Sequence, residues 1–346
     1  MNIDLVANRV KNNYKINIED IEKIKNVYKI KSKDGEIYSL KIINYEFKHF
    51  NFIVNAIKHL RNNGFNGVLP FVKTRFNEDY IELDNKTFGY VNPWISCRES
   101  NYDNPIEVER ISKFLGELHL KSRGFSIKDN MKPRIAWMSW YTTFHTRQNE
   151  ILDFKNRIEK KSKKTAFDEL YYKHIERNLE LCNETLVDII NCNYINRMKD
   201  EMMNKGFCHH DTAHHNILLT EDNQLKIIDF DYCILDTHLH DLGSLIIRVL
   251  QNGKWHIDTA INILNSYSEA YRLTYDEIPI MAAFIKFPQD FWQIGIQYYW
   301  EMKNWEEEFF EKKLFKILDD MEARNDFSKE LKILYKGGLK GNVFKL

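Results

Sequence analysis

The sequence predicts an α+β protein, with a small antiparallel β-sheet and one helix near its N-terminus and a larger, mainly helical remainder. Three observations carry this prediction. Apolar residues alternate with polar ones in short runs broken by turn residues over roughly the first ninety positions. From Asn104 onward apolar residues recur at helical spacing. One stretch, 207–241 (FCHHDTAHHNILLTEDNQLKIIDFDYCILDTHLHD), interrupts the helical pattern with two apolar runs around a polar turn.

A polar, helical start leads into strands expected at 27–31 and 36–43, joined around Asp34-Gly35, a strong hairpin signal. Alternation along the second strand places Lys41 on one face with Ile37, Ser39 and Ile43. Phe50, Ile53, Val54, Ile57 and Leu60 form the apolar stripe of a helix that Asn63-Gly64 closes. Strands expected at 69–73, 80–83 and 87–91, with a turn at Asp84-Asn85, would complete a five-stranded sheet. The segment NPWISCRES, 92–100, then separates β-rich from helical sequence. The expected division is residues 1–92 as a nucleotide-binding lobe, 93–98 as a hinge and 99–346 as a helical lobe. Groups at such a junction can read an adenine edge, which makes Asn92, Trp94 and Ile95 candidates for cofactor binding.

Asn104, Pro105 and Glu107 signal a helix start, and Ile111, Phe114, Leu115 and Leu118 its buried stripe, which His119 ends as a core histidine. Residues 126–205 read as charged helices, with Lys160, Lys161, Lys163 and Lys164 in a solvated loop. Leu239, Leu242, Ile246 and Val249 set Asp241 at the start of an amphipathic helix. Phe284, Phe287, Phe291, Ile294 and Tyr298 read as a core stripe.

Composition narrows the function. The 346 residues contain 50 basic and 50 acidic side chains, so no net field draws the chain to nucleic acid or to an anionic membrane. The 5 cysteines, odd in number and without a C-x-x-C pair, argue against a disulfide framework or structural zinc and for a reducing compartment. The first residues lack the apolar core of a signal peptide, and no run is long enough to span a bilayer, so synthesis in the cytoplasm without membrane insertion is expected.

The chemistry concentrates in 207–241. His209, Asp211 and Asn216 occur as His-x-Asp, four residues, Asn; the returning strand then delivers Asp229 and Asp231. Phosphoryl transfer needs a carboxylate to orient the attacking hydroxyl, and amide and carboxylate oxygens to hold magnesium against nucleotide phosphates. Asp211 suits the first role, Asn216, Asp229 and Asp231 the second. Lys41, on a strand ahead of a helix, suits the gripping of phosphates. A different reading takes His209, His210, His214, His215, His238 and His240 with Asp211 and Asp229 as a transition-metal hydrolase site.

Together these segments resemble the CotS-type spore coat kinase-like proteins within the wider aminoglycoside phosphotransferase and choline kinase group. The resemblance rests on VYKIKSKDGEIYSLKII, NPWISCRES with NYDNP, FLGELH, HHDTAHHNIL, IIDFDYC with HDLGSLI, and FPQDFW, and covers nearly the whole chain. It implies a two-lobed protein-kinase-like fold, ATP and Mg2+ as cofactors, and phosphotransfer to a hydroxyl of a small-molecule acceptor. It also implies a spore-forming bacterium, placement in the spore coat, and other coat proteins as partners. Residue by residue, it makes Lys41 the phosphate-gripping lysine, Asp211 the catalytic base and Asn216 and Asp229 metal ligands. Asp231 falls at a second acidic position, and His209 and Asp241 support the loop. Three positions depart from the group. No glycine precedes the strand at 27–31, Asn55 stands where an acid should pair with Lys41, and His210 stands where glycine is usual. These departures leave a second expectation, a weakly active or inactive kinase-fold component of the coat.

Overall fold

The computed structural model describes residues 2–84 and 87–337, which form two compact units. The first comprises residues 1–101, 117–135 and 205–235, and the second residues 102–116, 136–204 and 236–346. The hairpin expected in the C-terminal lobe therefore clusters with the sheet. The physical reason is main-chain pairing within 92–100, described below.

The first unit opens with α1 (Ile3–Asn13), capped by the Asn2 side chain on the Asp4 N–H. There follow β1 (Ile18–Ile24), β2 (Val27–Ser32), β3 (Ile37–Ile43), α2 (Phe47–Asn62), β4 (Ile81–Asp84), β5 (Thr87–Pro93) and β6 (Cys97–Glu99). The first five strands form an antiparallel sheet in the order β1-β2-β3-β5-β4. Five strands were expected, but not these five. Residues 18–24 supply β1 through a tight turn in which Lys25 takes a left-handed φ of 51°. Residues 69–73 form no strand: Pro70 has no N–H to donate, β3 pairs β5 along one edge and β4 takes the start of the other, and the segment meets the rest of that edge through two bonds, Val72 N donating to Val91 O and Asn92 Nδ2 donating to Pro70 O, both at 2.7 Å. The turn expected at Asp84-Asn85 reaches outside the described residues at Asn85.

Alternation gives the sheet two apolar faces. Val6 and Val10 of α1 pack with Ile30, Leu40 and Val91 on one face, while Phe50 and Val54 of α2 pack with Ile43, Phe88 and Tyr90 on the other. Each such buried side chain contributes about 1.5–3 kcal/mol. α3 (Pro105–Ser122) is capped by Asn104 Oδ1, which accepts from Ile106 N at 3.1 Å. β7 (Arg134–Ile135), β8 (Ile217–Thr220), β9 (Leu225–Ile227) and β10 (Ile234–Leu235) complete the strands. β8 pairs with both β9 and β6, so the WISCRES segment ties the hairpin to the chain leaving the sheet.

The second unit is helical: α4 (Trp140–Glu159), α5 (Ala166–Asn191), α6 (Tyr194–Asn204), α7 (Leu239–Leu250), α8 (Ile257–Ser268), α9 (Ile278–Lys286), α10 (Gln289–Gly295) and α11 (Glu307–Gly337). A capping box between Thr165 and Asp168 starts α5. The sharp turn between α9 and α10 is the FPQDFW segment, with Phe287 and Phe291 buried. Arg324 of α11 fixes it, donating to Ile285 O at 2.6 Å, Phe287 O at 3.2 Å and Asp290 Oδ2 at 2.9 Å, and so satisfies carbonyls that the end of α9 leaves open. The expected 284–298 stripe is core packing: Phe291 stacks on Tyr171 with ring centroids 4.1 Å apart.

Candidate active site

Register decides where Lys41 points. It sits on β3 opposite Tyr90 of β5 and Val27 of β2. Its Nζ donates to Asp229 Oδ1 and Asp231 Oδ1, both at 2.7 Å. Tyr45 OH, two residues beyond the end of β3, donates to Asp231 Oδ1 at 3.2 Å. Burial works against the lysine ammonium, but Tyr90, Asp231 and Asp229 around it outweigh that and keep its pKa above the ordinary lysine value. Burial likewise opposes the Asp229 carboxylate, and Lys41 more than compensates, holding it below the usual range. α2 carries no acidic residue, and Asn55 there bonds Asn51. The carboxylates that hold Lys41 come from the hairpin instead of from α2.

The hairpin pairs Ile217 with Ile227, and Ile228 N donates to Asn216 O at 3.0 Å, which sets Asn216 beside the turn into Asp229. Asn216 Nδ2 donates to Asp211 Oδ2 at 2.9 Å and to Asp211 O at 3.1 Å. Its Oδ1 accepts nothing among the described residues and is available to a cation. His209 is a buried strut. Its Nε2 must donate to Ile228 O at 2.8 Å, because a carbonyl only accepts, and this leaves Nδ1 to accept from Asp211 N at 3.3 Å. One imidazole thus fixes the loop bearing Asp211 against the residue before Asp229. Those backbone bonds engage both ring nitrogens of His209, so this histidine serves the loop backbone and not a metal in this arrangement.

Two residues here adopt left-handed backbone, His210 (φ 71°) and Asp229 (φ 66°). Glycine would adopt this conformation freely, so the histidine is held there at a cost of about 1 kcal/mol. Asp and His are among the residue types that tolerate it best. The position where the family pattern has glycine therefore keeps the glycine conformation.

Beside these groups lies a cavity of about 230 Å³, whose wall includes Lys41, Asn92, Trp94, Ile95 and Asp229. Every residue expected to bind cofactor is on it. Asn92 is committed, its Nδ2 donating to Pro70 O at 2.7 Å, and Trp94 N donates to Ile37 O at 2.9 Å. Asn92 thereby anchors the irregular 69–73 segment. Sequence reasoning missed Tyr45 and the apolar walls Ile57, Tyr90, Leu218 and Ile227. Only the alternation along β5 signalled Tyr90. Asp241 is fully buried in the first turn of α7, in the helical unit.

An antiparallel sheet with α1 and α2 packed on its two faces, a sheet lysine, a His-x-Asp loop and a hairpin ending in Asp define a kinase-like protein, and solved structures show the same fold. An aminoglycoside phosphotransferase from Alicyclobacillus acidocaldarius subsp. acidocaldarius DSM 446 superposes with a TM-score of 0.83 at 21% identity, over 97% of each chain. The AMP-bound complex of a spectinomycin phosphotransferase gives 0.71 at 16% identity, over 94% of this chain and 98% of that one. Residues 7–331 match the family described as Spore coat putative kinase YutH, and the chain belongs to that family. It is also 24% identical over 294 residues to spore coat protein S of Bacillus subtilis (strain 168), covering 82% of this chain and 81% of the relative. Family and relative alike are spore-coat proteins, in line with the placement that the sequence motifs imply. Among the described residues no helix is long and apolar enough to cross a membrane.

Proposed function

We propose that this spore-coat kinase-like protein is an ATP-dependent phosphotransferase acting on a hydroxyl of a small molecule. The observation that carries the reading is that Lys41 and Asp229 share the wall of one cavity, with Lys41 bonded to both Asp229 and Asp231, in the unit that also holds Asp211 and Asn216 bonded to each other. The AMP found in the spectinomycin phosphotransferase complex supports a nucleotide in a fold of this kind.

Ile57, Tyr90, Leu218 and Ile227 offer apolar walls to a planar base, while Trp94 and Ile95 edge it. Asn216 Oδ1 and the Asp229 and Asp231 carboxylates are hard oxygen donors that fit magnesium. When bound, the ion neutralises charge on the transferring phosphoryl group. Lys41 exchanges a carboxylate partner for phosphate oxygens of the nucleotide. Asp211, steadied by Asn216 and His209, orients the acceptor hydroxyl and takes its proton as the oxygen–phosphorus bond forms and the bond to the departing diphosphate breaks.

Calorimetric titration of ATP tests this. Binding is expected to require magnesium and to weaken at least about tenfold in Asp229→Ala, a loss of about 1.4 kcal/mol. Absence of binding up to about 1 mM ATP, weaker than about −4 kcal/mol, would overturn it. That result would favour the second reading, a kinase-fold coat component, which the lack of any acid on α2 supports. Coat assembly unchanged in cells carrying Asp211→Ala and Asp229→Ala would then be the expected result.

A further inference from the structure

The FPQDFW segment is a motif that phosphotransfer leaves without a role. It borders a second cavity, of about 240 Å³, wholly within the helical unit. Asn178 of α5, Lys286 and Asp290 around the α9–α10 turn, and Lys313, Lys316 and Arg324 of α11 line it. We propose that this cavity is a binding site for a small hydroxylated anion, a phosphorylated or carboxylated polyol of about ten non-hydrogen atoms.

Charge accounting gives the anion. Four cationic side chains face the cavity with two acids, Asp290 and Asp320. Lys286 is already satisfied by Asp188 at 2.8 Å and Glu184 at 3.3 Å, and Arg324 by Asp290 at 2.9 Å. Asp320 accepts from Gly253 N at 2.7 Å. Lys313 and Lys316 make no ion pair among the described residues. Lys313 Nζ has only the neutral Gln297 Oε1, at 3.0 Å, and the Trp305 ring, 5.5 Å from its centroid. Partial burial lowers its pKa, the opposite of what a bound carboxylate would do, with Asp290 only partly offsetting it. An ammonium so placed gains most from an incoming anion.

A buried acceptor gives the hydroxyl. Asn178 is fully buried, and its Nδ2 donates to His174 O at 2.8 Å. Its Oδ1 has no hydrogen-bond partner among the described residues. Buried polar atoms are almost always paired, so a ligand with a donor group completes this one. The wall is rigid, because Arg324 locks the α9–α10 turn through three hydrogen bonds. The cavity is thus preformed, and binding does not have to order it.

The test is calorimetric titration of the full chain with glycerol 3-phosphate and, separately, inorganic phosphate. Glycerol 3-phosphate is expected to bind below about 1 mM and more tightly than phosphate. The Lys313→Gln/Lys316→Gln double variant, on a partly exposed helix face that tolerates substitution, is expected to weaken it at least tenfold, roughly one lost charge-assisted hydrogen bond. Lys41→Met, in the other unit, is expected to leave it unchanged. Asn178→Leu, if folded, is expected to weaken glycerol 3-phosphate more than phosphate. No binding of either probe up to about 10 mM overturns the proposal, as does binding unaffected by the lysine changes or abolished by Lys41→Met. Phosphate binding as tightly as glycerol 3-phosphate overturns the hydroxyl requirement. None of these outcomes depends on the phosphotransferase reading.

Discussion

Replacing Asp211 by alanine is expected to slow phosphotransfer by about three orders of magnitude, within the range for loss of a positioned general base, while ATP affinity stays within about twofold. The asymmetry follows from the contacts. Lys41 bonds Asp229 and Asp231 directly, whereas Asp211 bonds Asn216 and, through its N–H, the His209 strut. Single-turnover transfer from ATP to water or to an acceptor found by screening, beside calorimetric ATP binding, separates the two quantities. If ATP binding collapsed with the rate in a folded variant, Asp211 would be a nucleotide-site residue and its assignment as base would fail.

His238→Leu is expected to destabilise the helical unit by about 3–5 kcal/mol, because it strands two buried acids. His238 is almost fully buried in the turn before α7. Its Nδ1 lies 2.6 Å from Glu201 Oε1 and its Nε2 3.3 Å from Glu277 Oε1. Burial alone would lower its pKa, but Tyr271, Glu201 and Glu277 around it raise it well above the ordinary histidine value, which favours the imidazolium. Burial pushes Glu277 up, and His238 more than reverses that. The signs follow from linkage. The raised histidine contributes stability that is complete below about pH 6.5 and is lost as pH rises through its folded pKa. The depressed Glu277 contributes stability that is present above about pH 4.3 and is lost as pH falls through its folded pKa. Wild type should therefore be most stable between these limits, and the variant should lose that plateau. Urea unfolding followed by tryptophan fluorescence from pH 4 to 9 reads both effects. A cost below about 1 kcal/mol at pH 6 would show that the triad does not hold the helices together.

The two residues differ in how far the sequence discloses them. Asp211 is legible because its neighbours stand at fixed spacing: a loop and a hairpin of two short strands around a tight turn leave little freedom in where Asn216 and Asp229 arrive. Lys41 is legible for a similar reason, since strand alternation fixes its face. For His238 the sequence offers only the histidine-metal reading and gives no sign of its acid partners, because Glu201 and Glu277 lie 37 and 39 positions away on separate helical elements. The strand error has the same origin. Residues 69–73 have strand-like composition, but a strand needs an open edge, and whether β5 has one is decided by the other strands.

By itself the sequence determined the fold class, the kinase-like loop and hairpin, and the candidate residues Lys41, Asp211, Asn216, Asp229 and Asp231. Each of these rests on local periodicity or short spacing, which the backbone converts directly into geometry. Only the tertiary structure decided that Lys41 takes its acids from the hairpin, that Asn92 anchors a loop, that His210 keeps a glycine backbone, and that lysines of α11 meet the FPQDFW turn at a second cavity. Those outcomes depend on which distant side chains share a low-dielectric volume. Burial sets the energy of such contacts, and sequence separation carries no information about burial.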